Sequence, residues 1–287
     1  MSRPVGSKNA ATLAKMQGVV EELPIGNSTE TDTEINARIR KTFRVFEKMT
    51  NGIVQGQFKS AIVTGATGCG KSWICDQITE IARDEEEIEL RVLQGASSAL
   101  GIYRELWQAN QGAAGKIKVL KIDDCDMYHD LEAMDVLKNA LDTKKRRVVS
   151  WNKESYPLIN NGIPLQFEFE GSCLFLTNKN FVKEISYNGK MAPHYQAFLS
   201  RSIFLDLGIH SKREILLRIK QVASDNNDFY DMNKIETKDG KIILDWLTNN
   251  LTKIREISFR TVLQLHQMMS MGSDWEEMAE VTLWKRS

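Results

Sequence analysis

The stretch Gly65-Ala66-Thr67-Gly68-Cys69-Gly70-Lys71-Ser72 limits what this chain can fold into more than any other, because it is spaced G-x-x-x-x-G-K-[ST]. Glycine tolerates backbone angles with φ above zero, so successive N–H groups can turn into one small concavity. A concavity of that kind at a helix N-terminus holds a phosphate group. The residues around it supply the required setting. Ser60-Ala-Ile-Val-Thr64 is a short apolar, β-branched run that predicts a strand, and Trp73, Ile74, Ile78, Ile81 and Ala82 recur at helical spacing. In this arrangement the backbone and side chains of Gly65, Ala66, Thr67, Gly68, Cys69, Gly70, Lys71 and Ser72 line the phosphate site. Lys71 reaches the β- and γ-phosphates, and the Ser72 hydroxyl is placed to ligate Mg²⁺.

The bulk properties exclude several classes of protein. With 287 residues, 42% hydrophobic and 26% charged, the chain is long enough for one large or two smaller globular domains. Its formal net charge is zero, so any nucleic-acid contact has to be local. The four cysteines form no C-x-x-C pair and have no histidine at zinc spacing, which points to reduced thiols. There is no long apolar run and no signal-peptide core, so the expected location is the cytoplasm, with no membrane partner.

In chain order, residues 1–32 are polar and read as a disordered tail. Thr33 to Met49 predicts a helix with Ile35, Ile39, Phe43 and Phe46 on one face, ended by Asn51-Gly52. Packing beside an adenine is its expected role. Ile88 to Leu93 predicts a second strand and Ala96 to Asn110 a second helix. Lys116-Ile-Lys-Val-Leu-Lys-Ile-Asp-Asp124 predicts a buried strand ending in two carboxylates. Asp123 would hold the Mg²⁺ shell, and Asp124 would orient water or accept its proton. Leu131 to Leu141 predicts a helix. Lys144–Trp151 and Leu165–Glu170 predict the arms of a β-hairpin whose tip carries Asn152, Lys153 and Tyr156. Strands at Ser172–Asn178 and Ile203–Leu207 follow, and from Ser211 the pattern is helical only. The expected fold is therefore α/β, a P-loop NTPase with a parallel sheet flanked by helices and a β-hairpin insertion. Its expected divisions are the tail 1–32, a nucleotide-binding domain 33–209 and a small helical lid 210–287.

With these motifs in this order, the chain resembles the AAA+ ATPases over about residues 35 to 270. Gly65–Ser72 matches Walker A, and Asp123 with Asp124 matches Walker B. The second Walker B carboxylate is Asp where Glu is usual, a reach shorter by one methylene. Asn178 matches sensor 1. Arg201, in Leu199-Ser-Arg-Ser, stands where the family carries its arginine finger and resembles the Ser-Arg-Cys box of clamp loaders. Arg260, in Ser258-Phe-Arg-Thr, matches sensor 2. The hairpin resembles the insertion of the pre-sensor-1 clade, which includes superfamily 3 helicases. Ser2-Arg-Pro-Val-Gly-Ser-Lys-Asn9 is similar to tails on phage DNA-handling proteins and distantly to an AT-hook.

The resemblance implies ATP and Mg²⁺ as cofactors and hydrolysis by Lys71, Asp124, Asn178, Arg201 and Arg260. It also implies a ring of about five to seven copies, because the finger serves the neighbouring subunit's nucleotide. The leading expectation is a phage-encoded motor or loader acting on DNA, with the hairpin and Lys144–Arg147 as contacts. Two alternatives stand beside it. One is a protein-remodelling machine, for which Gly101-Ile-Tyr103 would be the pore loop. The other is an ATP-gated scaffold with little turnover.

Overall fold

The computed structural model describes residues 23–26, 29–225 and 228–285. The disordered-tail assignment falls mostly on residues outside this set, as does the Arg3–Lys8 segment.

Helix α1 (Asp32–Val54) opens the described fold. It starts on a capping box, in which the Glu34 N–H donates to Thr31 Oγ1 and the Glu34 carboxylate accepts from the Thr31 N–H at 2.8 Å. Its apolar face, Ile35, Ile39, Phe43 and Phe46, is wholly buried. Asn51-Gly52 does not end it. Gly52 lies inside the last turn, at a place where a Cβ would collide with the ring of Phe58.

Next come β1 (Ser60–Thr64), α2 (Lys71–Asp84), β2 (Ile88–Gln94), α3 (Ala99–Asn110), β3 (Ile117–Asp123) and α4 (Leu131–Ala140). An insertion follows, made of β4 (Val148–Ser150), α5 (Tyr156–Asn160) and β5 (Gln166–Glu168). The α/β part then closes with β6 (Ser172–Thr177), α6 (Phe181–Ser186), α7 (Ala192–Leu199) and β7 (Ile203–Asp206). Helices alone complete the described chain: α8 (Lys212–Asp225), α9 (Asp228–Met232), α10 (Thr237–Asn249), α11 (Phe259–Met269) and α12 (Trp275–Leu283).

The main sheet has five parallel strands in the order β2-β3-β6-β1-β7. Its central strands are buried on both faces, as parallel sheets require, so they read as nearly continuous apolar runs. Alternate residues feed two cores. Ala61, Val63, Val119, Leu174 and Leu176 join the cluster containing α1, α2 and the later helices. Ile62, Leu120, Ile122, Cys173 and Phe175 join the cluster with α3, α4 and the insertion. The chain therefore has the expected α/β P-loop fold, with helices on both faces of the sheet and a hairpin inserted before β6. All four cysteines are buried and unpaired. Among the described residues no helix is long and apolar enough to cross a membrane.

The helices after β7 share the first cluster with α1 and β1. Polar contacts reinforce this seam. Arg38 of α1 donates to the Gly208 carbonyl at 2.7 Å and pairs with Glu214 of α8 at 2.6 Å. Burial works against the Glu214 carboxylate, yet bonds from the His210 N–H, Arg38 and Ser211 hold it below its usual range. The Lys212 and Arg213 N–H groups donate to the carbonyls of Pro24 and Ile25, which ties part of the stretch assigned to the tail against α8.

The insertion corrects two expectations. β4 and β5 pair antiparallel as a hairpin should, yet a short helix stands between them. The basic run at the base is split: Lys144, Lys145 and Arg146 are exposed, whereas Arg147 is structural. Arg147 is buried, and its guanidinium donates to the carbonyls of Ala140 and Gly171 at 3.0 and 2.7 Å. Arg146 pairs with Glu168, Lys144 with Asp142 and Lys153 with Glu132. Phe167 and Trp151 pack on Tyr103 and Trp107 of the chain's own α3. Tyr103 is wholly buried and its hydroxyl donates to the Pro164 carbonyl, so Gly101-Ile-Tyr103 is part of a packed helix and cannot be a pore loop.

Candidate functional site

The order of the strands builds the site. β6 lies between β1 and β3, so the carboxyl ends of all three stand side by side. The chain leaves β1 at Gly65, β6 at Asn178 and β3 at Asp124, and backbone bonds hold these exits together. The Gly65 N–H donates to the Thr177 carbonyl at 3.3 Å, and the Asp124 N–H to the Leu176 carbonyl at 3.0 Å. Asp124 has φ 50°, in the left-handed region that aspartate enters more readily than most residues.

The loop after β1 has φ of 69° at Gly68 and 97° at Gly70. Gly70 is the N-cap of α2 and provides no side-chain acceptor, so the amides of the first turn remain available to an anion. Lys71 is the first residue of that helix. Its ammonium donates to the Gly65 and Ala66 carbonyls at 2.8 and 2.9 Å and to Asn178 Oδ1 at 2.7 Å. The Asn178 amide in turn donates to Asp124 Oδ1 at 3.0 Å. Lys71, Asn178 and Asp124 thus form one continuous chain of hydrogen bonds. Asp123 is buried at the end of β3, and Ser72 is partly buried at the second position of α2.

The electrostatics fit a phosphate. The Lys71 ammonium is buried and its direct partners are neutral, so burial holds its pKa below that of a free lysine. Asp124 and Asp123 partly offset this, while the Arg260 charge adds to the depression. A desolvated cation facing uncapped amides is the arrangement that an anion completes. The site suits Mg²⁺ only as a shared ligand. Among the described residues no three His, Cys, Asp or Glu side chains converge on one point. The ion would therefore take Ser72, Asp123, phosphate oxygens and water.

Gly65 to Ser72, Asp123, Asp124 and Asn178 are brought together. Arg260 is exposed at the second position of α11 and reaches the site through its field at Lys71. Arg201 is not brought there. The Ser60 hydroxyl donates to its carbonyl at 2.9 Å, at the start of β1, while the loop begins at the other end of that strand. Five residues at about 3.3 Å each separate the two ends by roughly 16 Å. The Arg201 guanidinium donates to the Ala197 carbonyl at 2.7 Å.

Two features escape a reading of motifs. The start of α11 rests on the phosphate loop: the Phe259 N–H donates to the Gly68 carbonyl at 3.1 Å, and a Cβ on Gly68 would collide with Ser258. Phe259 packs on Phe229 of α9 at 4.9 Å, and Phe229 on Trp73 of α2 at 6.2 Å. The second feature is Lys121, buried in the middle of β3 and paired with Asp76 of α2. Its signal was visible as a lysine inside an apolar strand, an unusual place for an unpaired charge.

No family model matches the chain. Among solved structures, domain III of the replication initiation protein DnaA from Thermotoga maritima superposes with a TM-score of 0.47 at 10% identity, over 84% of this chain and 91% of that one. A DNA replication initiation factor gives 0.46 at 11% identity, over 90% and 68%. The ORC2 protein of Aeropyrum pernix gives 0.37 at 14%, over 91% and 67%. Likeness at this level says nothing about function. A sequence relative is far nearer. An uncharacterized 36.7 kDa protein from the nrdC-mobD intergenic region of Enterobacteria phage T4 is 36% identical over 251 residues, which span 87% of this chain and 76% of the relative. On that identity and coverage, this chain belongs to the family of the phage T4 36.7 kDa protein.

Proposed function

We propose that this protein is an AAA+-type ATPase that binds ATP with Mg²⁺ at the Gly65–Ser72 loop, hydrolyses it in a ring of identical subunits, and couples turnover to the remodelling of DNA. The observation that carries this reading is the hydrogen-bonded chain from Lys71 through Asn178 to Asp124. It aligns a phosphate-binding cation, an orienting amide and a candidate base along the carboxyl edge of the sheet.

ATP with Mg²⁺ supplies the phosphoanhydride and a divalent charge that offsets its oxygens. The chain's own residues do the rest. The loop amides and Lys71 bind and orient the phosphates. Ser72 and Asp123 would hold the metal. Asp124 has one carboxylate oxygen engaged by Asn178, which leaves the other to take a proton from water. A finger at Arg201, at the far end of β1, would have to serve a neighbouring subunit's nucleotide, and that role is what calls for a ring.

The DNA component rests on the Ser2–Asn9 segment, with Arg3 and Lys8 as its cations. The hairpin supports it less than its sequence suggests, because Arg147 is buried and Lys144, Arg146 and Lys153 each pair with a carboxylate of the chain, which leaves Lys145 as the exposed cation of the run. One observation favours a second reading, the remodelling of a protein partner: at the hairpin tip Tyr156 is 75% and Ile159 60% exposed.

Measuring Mg²⁺-dependent ATP turnover alone, with DNA and with an unfolded protein distinguishes these readings. DNA stimulation that disappears in Arg3→Ala/Lys8→Ala is the expected result. Stimulation by protein alone would replace the DNA component, and failure to bind ATP at all would overturn the ATPase reading.

A further inference from the structure

Helix and strand periodicity place two pairs of residues one above the other at the interface of α2 and β3. Ser72 and Asp76 are four residues apart in α2 and share one face. Lys121 and Asp123 are two apart in β3 and share the face that carries Val119 toward α2. Ser72 and Asp123 form the upper rung, which is the Mg²⁺ position of the proposed site. Asp76 and Lys121 form the lower rung, joined by an ion pair in which the Lys121 side chain is 4% exposed and that of Asp76 44%.

We infer that Asp76 is a positioning residue for the metal site: it holds the Lys121 ammonium in the lower rung and so keeps Asp123 free for Mg²⁺. The inference rests on the ATPase reading above. Its reason is the scarcity of partners for a buried ammonium. A buried cation must find an acceptor. Lys121 has one in Asp76, and among the groups acting on it electrostatically the other carboxylate is Asp123. Residues two apart in a strand are separated by about 6.6 Å, a span that a lysine stem covers. Without the Asp76 carboxylate, the ammonium would turn to Asp123 and compete with the metal for the same oxygens.

The test is a Mg²⁺ titration of the binding of a fluorescent, non-hydrolysable ATP analogue to the full chain, with a parallel measurement in EDTA. Asp76→Asn is expected to raise the Mg²⁺ concentration at half-saturation tenfold or more, with affinity in EDTA unchanged. Asp76→Asn/Lys121→Met is expected to return the half-saturation to the parent's value, because the competing charge is gone. A merely structural role for the pair would lower affinity alike with and without Mg²⁺ and leave the double variant as impaired as the single; either result overturns the inference. Should Asp76→Asn fail to fold, Lys121→Met alone decides. Half-saturation at or below the parent's supports the inference, and a higher value overturns it. If the parent binds no nucleotide at any Mg²⁺ concentration, the ATPase reading itself fails. A parent that binds while Asp76→Asn titrates like it removes only this inference.

Discussion

The phosphate loop and the inserted hairpin are both rich in polar and charged groups, and they treat them in opposite ways. At the loop, the Lys71 ammonium is buried against neutral oxygens and the first turn of α2 lacks a side-chain cap. At the hairpin, Arg146, Lys153 and Lys144 each face a carboxylate, and Arg147 is sealed in by two carbonyls. The first region leaves its buried charge to be completed from outside, whereas the second, Lys145 apart, completes its charge internally. A run of lysines and arginines is therefore a weaker sign of a ligand than one lysine whose partners are all neutral.

The sharpest test of this contrast is the loss of the loop's cation. Lys71→Ala should abolish ATP binding or turnover while the chain stays folded, checked by nucleotide titration and circular dichroism. Asp124→Asn should retain binding and lose turnover. Equal turnover in either variant would remove that residue from the proposed site. Arg201→Ala comes next. A guanidinium aimed at the transferring phosphoryl group is worth about 10³–10⁵ in rate. Mixing Arg201→Ala with Lys71→Ala subunits should recover part of the activity, because some interfaces then join an intact loop to an intact finger. Full activity of Arg201→Ala would end its assignment.

The hairpin should respond through stability instead. Arg147→Ala leaves the Ala140 and Gly171 carbonyls without their donor and opens a cavity, at a cost of about 2–4 kcal/mol in denaturant unfolding. A cost near zero would mean that the buried guanidinium is not structural. The smallest effect is expected at the tip. Lys153→Ala/Tyr156→Ala removes one exposed pair and one exposed ring, so stability should shift by no more than about 0.5 kcal/mol. DNA affinity and its salt dependence should stay the same as the parent's. A shallower salt dependence would show that these groups meet phosphates after all and would break the contrast.

The phosphate loop and the sheet were legible in the sequence because their physics is local or periodic. Gly65–Ser72 needs only its own spacing, and Ser60–Thr64 and Ser172–Thr177 announce themselves as buried runs. Asn178 and Asp124 could be found because they end such runs. What was missed depends on partners distant in sequence. Gly52 reads as a helix stop until Phe58 is seen against it. Arg147 reads as a surface charge until Gly171 supplies its acceptor. Tyr103 reads as a pore aromatic until the insertion covers it. Helices of five to nine residues, such as α5, α9 and α12, are too short for a face to repeat convincingly.

The bond from the Phe259 N–H to the Gly68 carbonyl joins two parts of the chain in series. The Gly68 peptide, inside the proposed phosphate loop, also anchors the first turn of α11. A shift of α11 and a shift of the loop thus meet at one hydrogen bond, with Ser258 closed against Gly68 beside it. The Phe259 amide is consequently a built-in gauge: its rate of hydrogen exchange reports the parting of helix from loop, an event that needs no unfolding of the sheet beneath.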